Sequence, residues 1–250
     1  MHALPAHGPS ALYFNADPNG LALANGVLYV ADAETGTIMR GDSTPLATIY
    51  GDETCDCVRG LAAAPDGSLY ATTRHSVFRI MPDGSTIELD LPPEPVRFGV
   101  ACRGRAVYAT QYSNSIAGPC DGKVVRIADG RVSTIACGLG KPVGLAWVAD
   151  ALLVVDAAQR GVFAIDGRRC VRALAALDAR PDAICAYGAS SALVTTYDDV
   201  ERRGAVVRVW LDGSSREVAT GDWEPSGIAT DGELVFVSVR HGGRVLVLTI

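Results

Sequence analysis

Lysine is nearly missing from this chain: two, Lys123 and Lys141, in 250 residues. No Lys/Arg-rich run stands in for it, and acidic residues outnumber basic ones 28 to 22, for a net charge of −6. Binding a phosphate backbone needs a basic stripe, so the composition argues against a nucleic-acid partner. No apolar run reaches the roughly 18 residues of a membrane span. The first ten residues have neither a basic nor an apolar leader segment, so the expected setting is the cytoplasm. Helical periodicity never lasts beyond about two turns; its nearest instance, residues 171–177, fits an outer strand. The serine-nucleophile elbow, the phosphate-binding loop, the His-Glu-x-x-His zinc pair and the Cys-x-x-Cys pair are all missing as well.

What is present is a repeat. Residues 18–32 read as a strand, a tight turn at Asn25-Gly26 and a second strand ending on Asp32. The Asn-Gly pair supplies the positive φ of a two-residue hairpin. The first strand returns at Gly60-Leu61-Ala62, Gly99-Val100-Ala101, Gly144-Leu145-Ala146, Ala183-Ile184-Cys185 and Gly227-Ile228-Ala229, at spacings of 40, 39, 45, 39 and 44 residues from Gly20 onward. A small residue recurring at one point of an inner strand implies crowding about an axis. A period near 40 with several short strands per unit is the signature of a β-propeller. The expected fold is all-β: six blades of four antiparallel strands in one domain.

The blades are expected at 16–50, 51–92, 93–136, 137–178, 179–220 and 221–250, with 1–9 a flexible lead-in. The chain stops at the third strand of blade six. Residues 10–15 supply the fourth and close the ring, which would otherwise expose two strand edges. Turns such as Pro65-Asp66-Gly67 join strands one to two and three to four. The longer links then share one face, here called the top, where function on a rigid scaffold concentrates.

The residue preceding each small-residue position should face the axis at the top. This ring is Asn19, Arg59, Phe98, Val143, Asp182 and Ser226. Four consecutive blades give a polar arc and two give an apolar wall, which suits a small organic ligand; the plainer reading is that these residues cap strands and hold water. A second ring at the ends of the second strands holds Asp32, His75, Tyr112, Asp156, Tyr197 with Asp198, and Arg240 with His241. Asp32 and Asp156 read best as acceptors of backbone N–H groups in the following loop. Histidine is the residue type whose charge changes near neutrality, which makes His75 and His241 acid–base candidates, with solvation as the plainer reading. Glu224, beside Trp223 at the entry to blade six, is a further acid–base candidate.

The cysteine count is odd, seven. Cys102 and Cys185 read as small core residues of inner strands. Cys137 and Cys170 are placed near the starts of an inner and an outer strand. Cys55, Cys57 and Cys120 fall in top loops near His75. A metal site, a disulfide between Cys55 or Cys57 and Cys120, and free thiols are all open, although no established zinc spacing is matched.

Gly60-Leu61-Ala62-Ala63-Ala64-Pro65-Asp66-Gly67-Ser68-Leu69-Tyr70-Ala71-Thr72 and Leu28-Tyr29-Val30-Ala31-Asp32 resemble the repeats of NHL-type and SMP-30/gluconolactonase-type propellers, a group that includes strictosidine-synthase-like enzymes. The resemblance covers nearly the whole chain and is one of scaffold. Pro181-Asp182-Ala183 is similar to a gluconolactonase segment whose Asp is ligand and base, and Pro18-Asn19-Gly20 to one whose Asn is a ligand. That resemblance implies a divalent cation (Ca, Mg or Zn) on Asn19 and Asp182. The sequence departs from it: no ring position is Glu, Phe98 and Val143 stand where polar ligands are needed, and Arg59 adds a positive charge. Strictosidine-synthase-like members imply metal-free chemistry with a channel carboxylate.

The preferred expectation is therefore a small-molecule enzyme with no cofactor, working at the top mouth by cyclisation, condensation, elimination, or lactone or ester hydrolysis. Asp182 is the leading acid–base residue, with His75, Tyr197, His241 and Glu224 as partners. Asn19, Arg59, Phe98, Val143, Ser226, Tyr112 and Trp223 contact substrate. The alternatives are a non-catalytic propeller that holds a protein or ligand on its top face, and a metal-dependent gluconolactonase-like hydrolase.

Overall fold

The computed structural model describes residues 10–14, 17–49, 58–89, 91, 96–112, 121–167 and 170–250. The expected lead-in and the loops bearing Cys55, Cys57 and Cys120 lie outside these. The first strand of the chain is β1 (Ser10–Tyr13). Blade one follows as β2–β5 (Pro18–Ala24, Val27–Asp32, Thr37–Arg40, Pro45–Thr48) and blade two as β6–β9 (Gly60–Ala63, Leu69–Thr72, Val77–Ile80, Thr86–Glu88). Blade three is β10–β13 (Val96–Arg103, Ala106–Tyr112, Gly122–Ala128, Arg131–Leu139) and blade four β14–β17 (Pro142–Val148, Ala151–Asp156, Gly161–Ile165, Val171–Ala176). Blade five is β18–β21 (Arg180–Tyr187, Ser191–Asp198, Arg203–Trp210, Ser215–Gly221), and blade six contains β22–β24 (Pro225–Thr230, Leu234–Val239, Arg244–Thr249).

Each blade is a four-stranded antiparallel sheet, and β1 completes the sixth in the order β1-β24-β23-β22. Ser10 to Tyr13 pair with Val247 back to Arg244, and the Phe14 N–H donates to the Gly243 carbonyl at 2.6 Å. The six inner strands contact one another in cyclic order, β2 touching both β6 and β22. This is the closed six-bladed propeller that the repeat spacing predicts. Cys137 lies within β13, an outer strand of blade three; the expectation of an inner-strand start was displaced because blade three runs three residues past 136.

The core lies between blades. A second strand is covered on both faces by its neighbours, so it can be apolar without alternation: Leu152, Leu153, Val154 and Val155 of β15 are all buried. The outermost strands face water, as β9 does along its length.

Five of the six inner strands carry a β-bulge at one repeat position, between Pro18 and Leu21, Arg97 and Val100, Pro142 and Gly144, Pro181 and Ala183, and Pro225 and Gly227. The residues inside these irregularities include Asn19, Phe98, Val143, Asp182 and Ser226. A bulge leaves one residue unpaired and re-aims its side chain. The ring read from the sequence is thus a ring of bulges, with Arg59 just ahead of β6 completing it.

Hydroxyls on the second strands hold this geometry. Thr110 Oγ1 accepts the Gly99 N–H at 2.8 Å, Thr195 Oγ1 the Ala183 N–H at 3.0 Å, and Thr72 Oγ1 the Gly60 N–H at 2.9 Å. Thr72 also donates to the Phe98 carbonyl of the next blade, and Ser238 donates to the Asn19 carbonyl at 2.6 Å. The small-residue column gives these carbonyls room: a Cβ on Gly60 would lie 2.3 Å from the Phe98 oxygen, and one on Gly227 2.1 Å from that of Asn19.

Candidate functional site

The two ends of the central channel differ in chemistry. The bottom is a cavity of about 320 Å³ walled by inner strands, with Leu21, Leu145, Trp147, Ile184 and Ile228 among its lining. Cys102 and Cys185 also reach it, and burial pushes each thiol up to about 12, leaving both protonated near neutral pH.

The top is a pit of about 220 Å³. Its wall carries five cationic side chains, Arg59, Arg74, Lys141, Arg180 and Arg240, and one carboxylate, Asp182. Its apolar surface comes from Phe98, Tyr112, Val143 and Ala157. The sequence brought Arg59, Phe98, Val143, Asp182 and Tyr112 to this place, and the structure assembles all five there. Asn19 and Ser226 do not line the pit. Ser226 is buried, and its hydroxyl donates to the Pro18 carbonyl at 2.9 Å and meets that of Ser238 at 3.1 Å, tying blade six to blade one. Asn19 keeps a buried Oδ1 with no hydrogen-bond partner among the described residues.

Asp182 is the most enclosed charge of the site, only 4% exposed. Its Oδ2 accepts from Arg180 Nη1 at 3.3 Å and from Arg240 Nη2 at 3.4 Å. Glu224 meets the same two guanidiniums at 3.6 and 3.5 Å, and Arg180 also reaches Asp199 at 3.5 Å. Two arginines and two carboxylates thus form a closed cycle, with Asp182 at its inner corner. Burial pushes the Asp182 carboxyl above the usual range; the two arginines pull the other way and Glu224 adds to the rise. Burial likewise raises Tyr112, against Arg59 and Arg74, so its phenol stays protonated and can donate.

Two of the remaining three cations lean on aromatic faces. Arg59 lies over Phe98 at 5.2 Å and Lys141 over Tyr112 at 5.6 Å. Lys141 is set by Asp156, a fully buried carboxylate that accepts four backbone N–H groups: Gly140 at 2.6 Å, and Lys141, Ala158 and Gln159 at 3.0 Å each. Asp32 plays the same part in blade one, accepting from the Asp17 and Glu34 N–H groups and the Thr35 hydroxyl.

Arg240 is shared with a second compartment, a groove of about 460 Å³ over blades five and six. Tyr197, Trp223, Glu224 and His241 line it. These four expected site residues are therefore grouped together, separated from the pit by the Arg240–Glu224 pair. Trp223 is also packed into the core of blades five and six, 9% exposed. His241 is exposed at a positive φ of 53°, its N–H 3.3 Å from Asp17 Oδ1. His75 is exposed in the turn between β7 and β8 and lines neither compartment.

Four of the five pit cations fall outside the column that found Asp182. Lys141 and Arg180 stand two residues before Val143 and Asp182, and Arg74 and Arg240 just past the ends of β7 and β23. A signal existed: the position two before the ring reads Asp17, Cys57, Val96, Lys141, Arg180 and Glu224, charged in four blades of six.

The donor set does not suit a hard divalent cation, which takes about six or more oxygens. Asp182 Oδ2 already faces two guanidiniums, Asn19 lies off the pit, and the other wall positions are cationic or apolar. Among the described residues, no group of three or more His, Cys, Asp or Glu is placed to hold a metal ion.

No family model matches this chain, and no curated protein matches it. Solved structures do. A gluconolactonase from Xanthomonas campestris superposes with a TM-score of 0.78 at 16% identity, over 96% of this chain and 89% of that one. Virginiamycin B lyase from Staphylococcus aureus, solved with quinupristin, gives 0.66 at 17%, over 97% and 99%. A PQQ-bound aldose sugar dehydrogenase from Streptomyces coelicolor gives 0.71 at 18%, over 98% and 99%. At these identities the likeness is one of fold, and the three names span three chemistries.

Proposed function

We propose that this chain is a small-molecule enzyme doing acid–base chemistry in the cationic pit, with Asp182 as the base. The observation that carries this reading is a carboxylate 4% exposed, at the corner of an arginine–carboxylate cycle and facing a cavity of small-molecule size. Buried carboxylates with raised proton affinity in a cleft are what proton abstraction near neutral pH needs.

Arg180 and Arg240 hold the Asp182 carboxylate in one orientation. When it takes a proton from substrate, the charge left on the substrate develops beside the same guanidiniums, which stabilise it without reorganising. Phe98 and Val143 take the apolar body of the substrate, Tyr112 donates a hydrogen bond, and Arg59 holds an anionic group. Glu224, Tyr197 and His241 stand across Arg240, where a second proton transfer to a leaving group would be served. This fits elimination or cyclisation begun by proton loss, and equally hydrolysis of a lactone or ester by water that Asp182 activates. No step is assigned to a metal, because the donor set does not fit one. A protein-holding face would present exposed aromatics such as Tyr112, Tyr197 and Trp223; Tyr112 and Trp223 are buried and Tyr197 is half-buried, which favours the pit.

The test is a screen of lactones, aryl esters and elimination substrates, followed by Asp182→Asn on whichever is turned over. The expected result is a loss of about 10²–10⁴-fold in kcat/KM, with thermal unfolding nearly unchanged. Full activity in that variant ends the assignment.

A further inference from the structure

The pit holds more positive charge than the proposed base can use. Arg180 and Arg240 are balanced by Asp182 and Glu224. Arg59, Arg74 and Lys141 are not: among the described residues none of the three has a carboxylate within ion-pair distance. They gather on the opposite side, around Phe98, Tyr112 and Val143. Arg59 Nε is buried with no hydrogen-bond acceptor among the described residues. Leaving a buried donor unpaired and crowding like charges are both unfavourable. A chain with six more acidic than basic residues nevertheless places five of its 22 cations on one small cavity.

We propose that Arg59, Arg74 and Lys141 form a subsite for a small ligand carrying at least two negative charges, as carboxylate or phosphate groups. The inference rests on the reading of the pit as the reaction site and names the substrate class for it. Guanidinium forks match the paired oxygens of carboxylate and phosphate. The aromatic faces behind Arg59 and Lys141 fix the cations from the rear and leave their N–H groups free for the ligand. The anionic end then sits on the Phe98 side, and the reacting carbon lies toward Asp182. Within a net-negative surface, this patch also draws an anion past its surroundings and into the mouth.

The experiment is calorimetric titration of the full chain with citrate, with pyrophosphate and with neutral glucono-δ-lactone, repeated in Arg59→Gln, Arg74→Gln, Lys141→Gln and the remote surface control Arg126→Gln. The expected result is one anion bound per chain and affinity weakened about tenfold between low and about 0.15 M salt. Each pit variant is expected to weaken binding, and Arg126→Gln to leave it unchanged. The stronger of citrate and pyrophosphate identifies the carboxylate or phosphate form. Anion binding that survives all three pit variants overturns the proposal, as does equal binding of the neutral lactone. Asp182→Asn separates the two readings, because it should keep anion binding while losing turnover. Asp182-dependent turnover of neutral substrates without anion binding overturns the subsite and keeps the base. Anion binding without any Asp182-dependent turnover keeps the subsite and overturns the base.

Discussion

Asp182 and the aspartates of the turns are one residue type with opposite proton affinities. Asp42, Asp66, Asp83 and Asp212 each accept from the N–H and hydroxyl of the Ser or Thr two positions on, and these bonds lower their carboxyls. A lowered folded-state value contributes stability that is present above the unfolded value and lost as pH falls through the folded one. Asp182 is raised, so its ionised form is lost at a higher pH than that of an ordinary carboxylate. Two acid transitions should therefore separate. The acid limb of kcat/KM is expected above the ordinary carboxylate value, while circular dichroism still reports folded protein; unfolding follows only below it. Coincident transitions would mean that Asp182 is not the titrating base. Asp182 itself was legible in the sequence because it occupies a column. The pair that perturbs it was not, since Arg180 is close in sequence but Arg240 comes from 58 residues away.

At the scale of the strand, the informative feature is the bulge with the small residue behind it. Periodicity located the small residue and the position ahead of it, which lines the pit in four blades of six, through Arg59, Phe98, Val143 and Asp182. It did not show why glycine stands there in blades two and six: the next blade's carbonyl oxygen would lie 2.3 Å from a Cβ on Gly60 and 2.1 Å from one on Gly227. Gly227→Ala tests this at the seam between blades six and one, where the Asn19 oxygen is 2.1 Å from the added atom. Overpacking of this kind costs about 1–3 kcal/mol, read as a fall in Tm of roughly 3–10 °C. Gly104→Ala, at a turn glycine with nothing within 4 Å of the added atom but a φ of 58°, gives a comparison in which strain acts without crowding. The hydroxyls that stitch the bulges, Thr72, Thr110, Thr195 and Ser238, share one second-strand position, a column that apolar patterning alone passes over.

For the whole molecule, the repeat count and the missing fourth strand of blade six were enough to give the ring and its closure. The division of the top into a pit and a groove was not, because it depends on which of several charged neighbours meet across blades. The closure has a direct consequence. Removing residues 1–14 deletes β1 and bares the edge of β24 at four paired positions. The shortened chain is expected to melt lower and to self-associate, measured by calorimetry and light scattering. An unchanged melting temperature and unchanged scattering would show that the first strand is dispensable.

Blade six is made of the beginning and the end of the chain, and it also carries Arg240 and Glu224. The sheet that closes the ring is thus the one that brings Arg240 and Glu224 to Arg180 and Asp182 of blade five. A substitution that frays the closure therefore acts on the same four strands that present half of the arginine–carboxylate cycle.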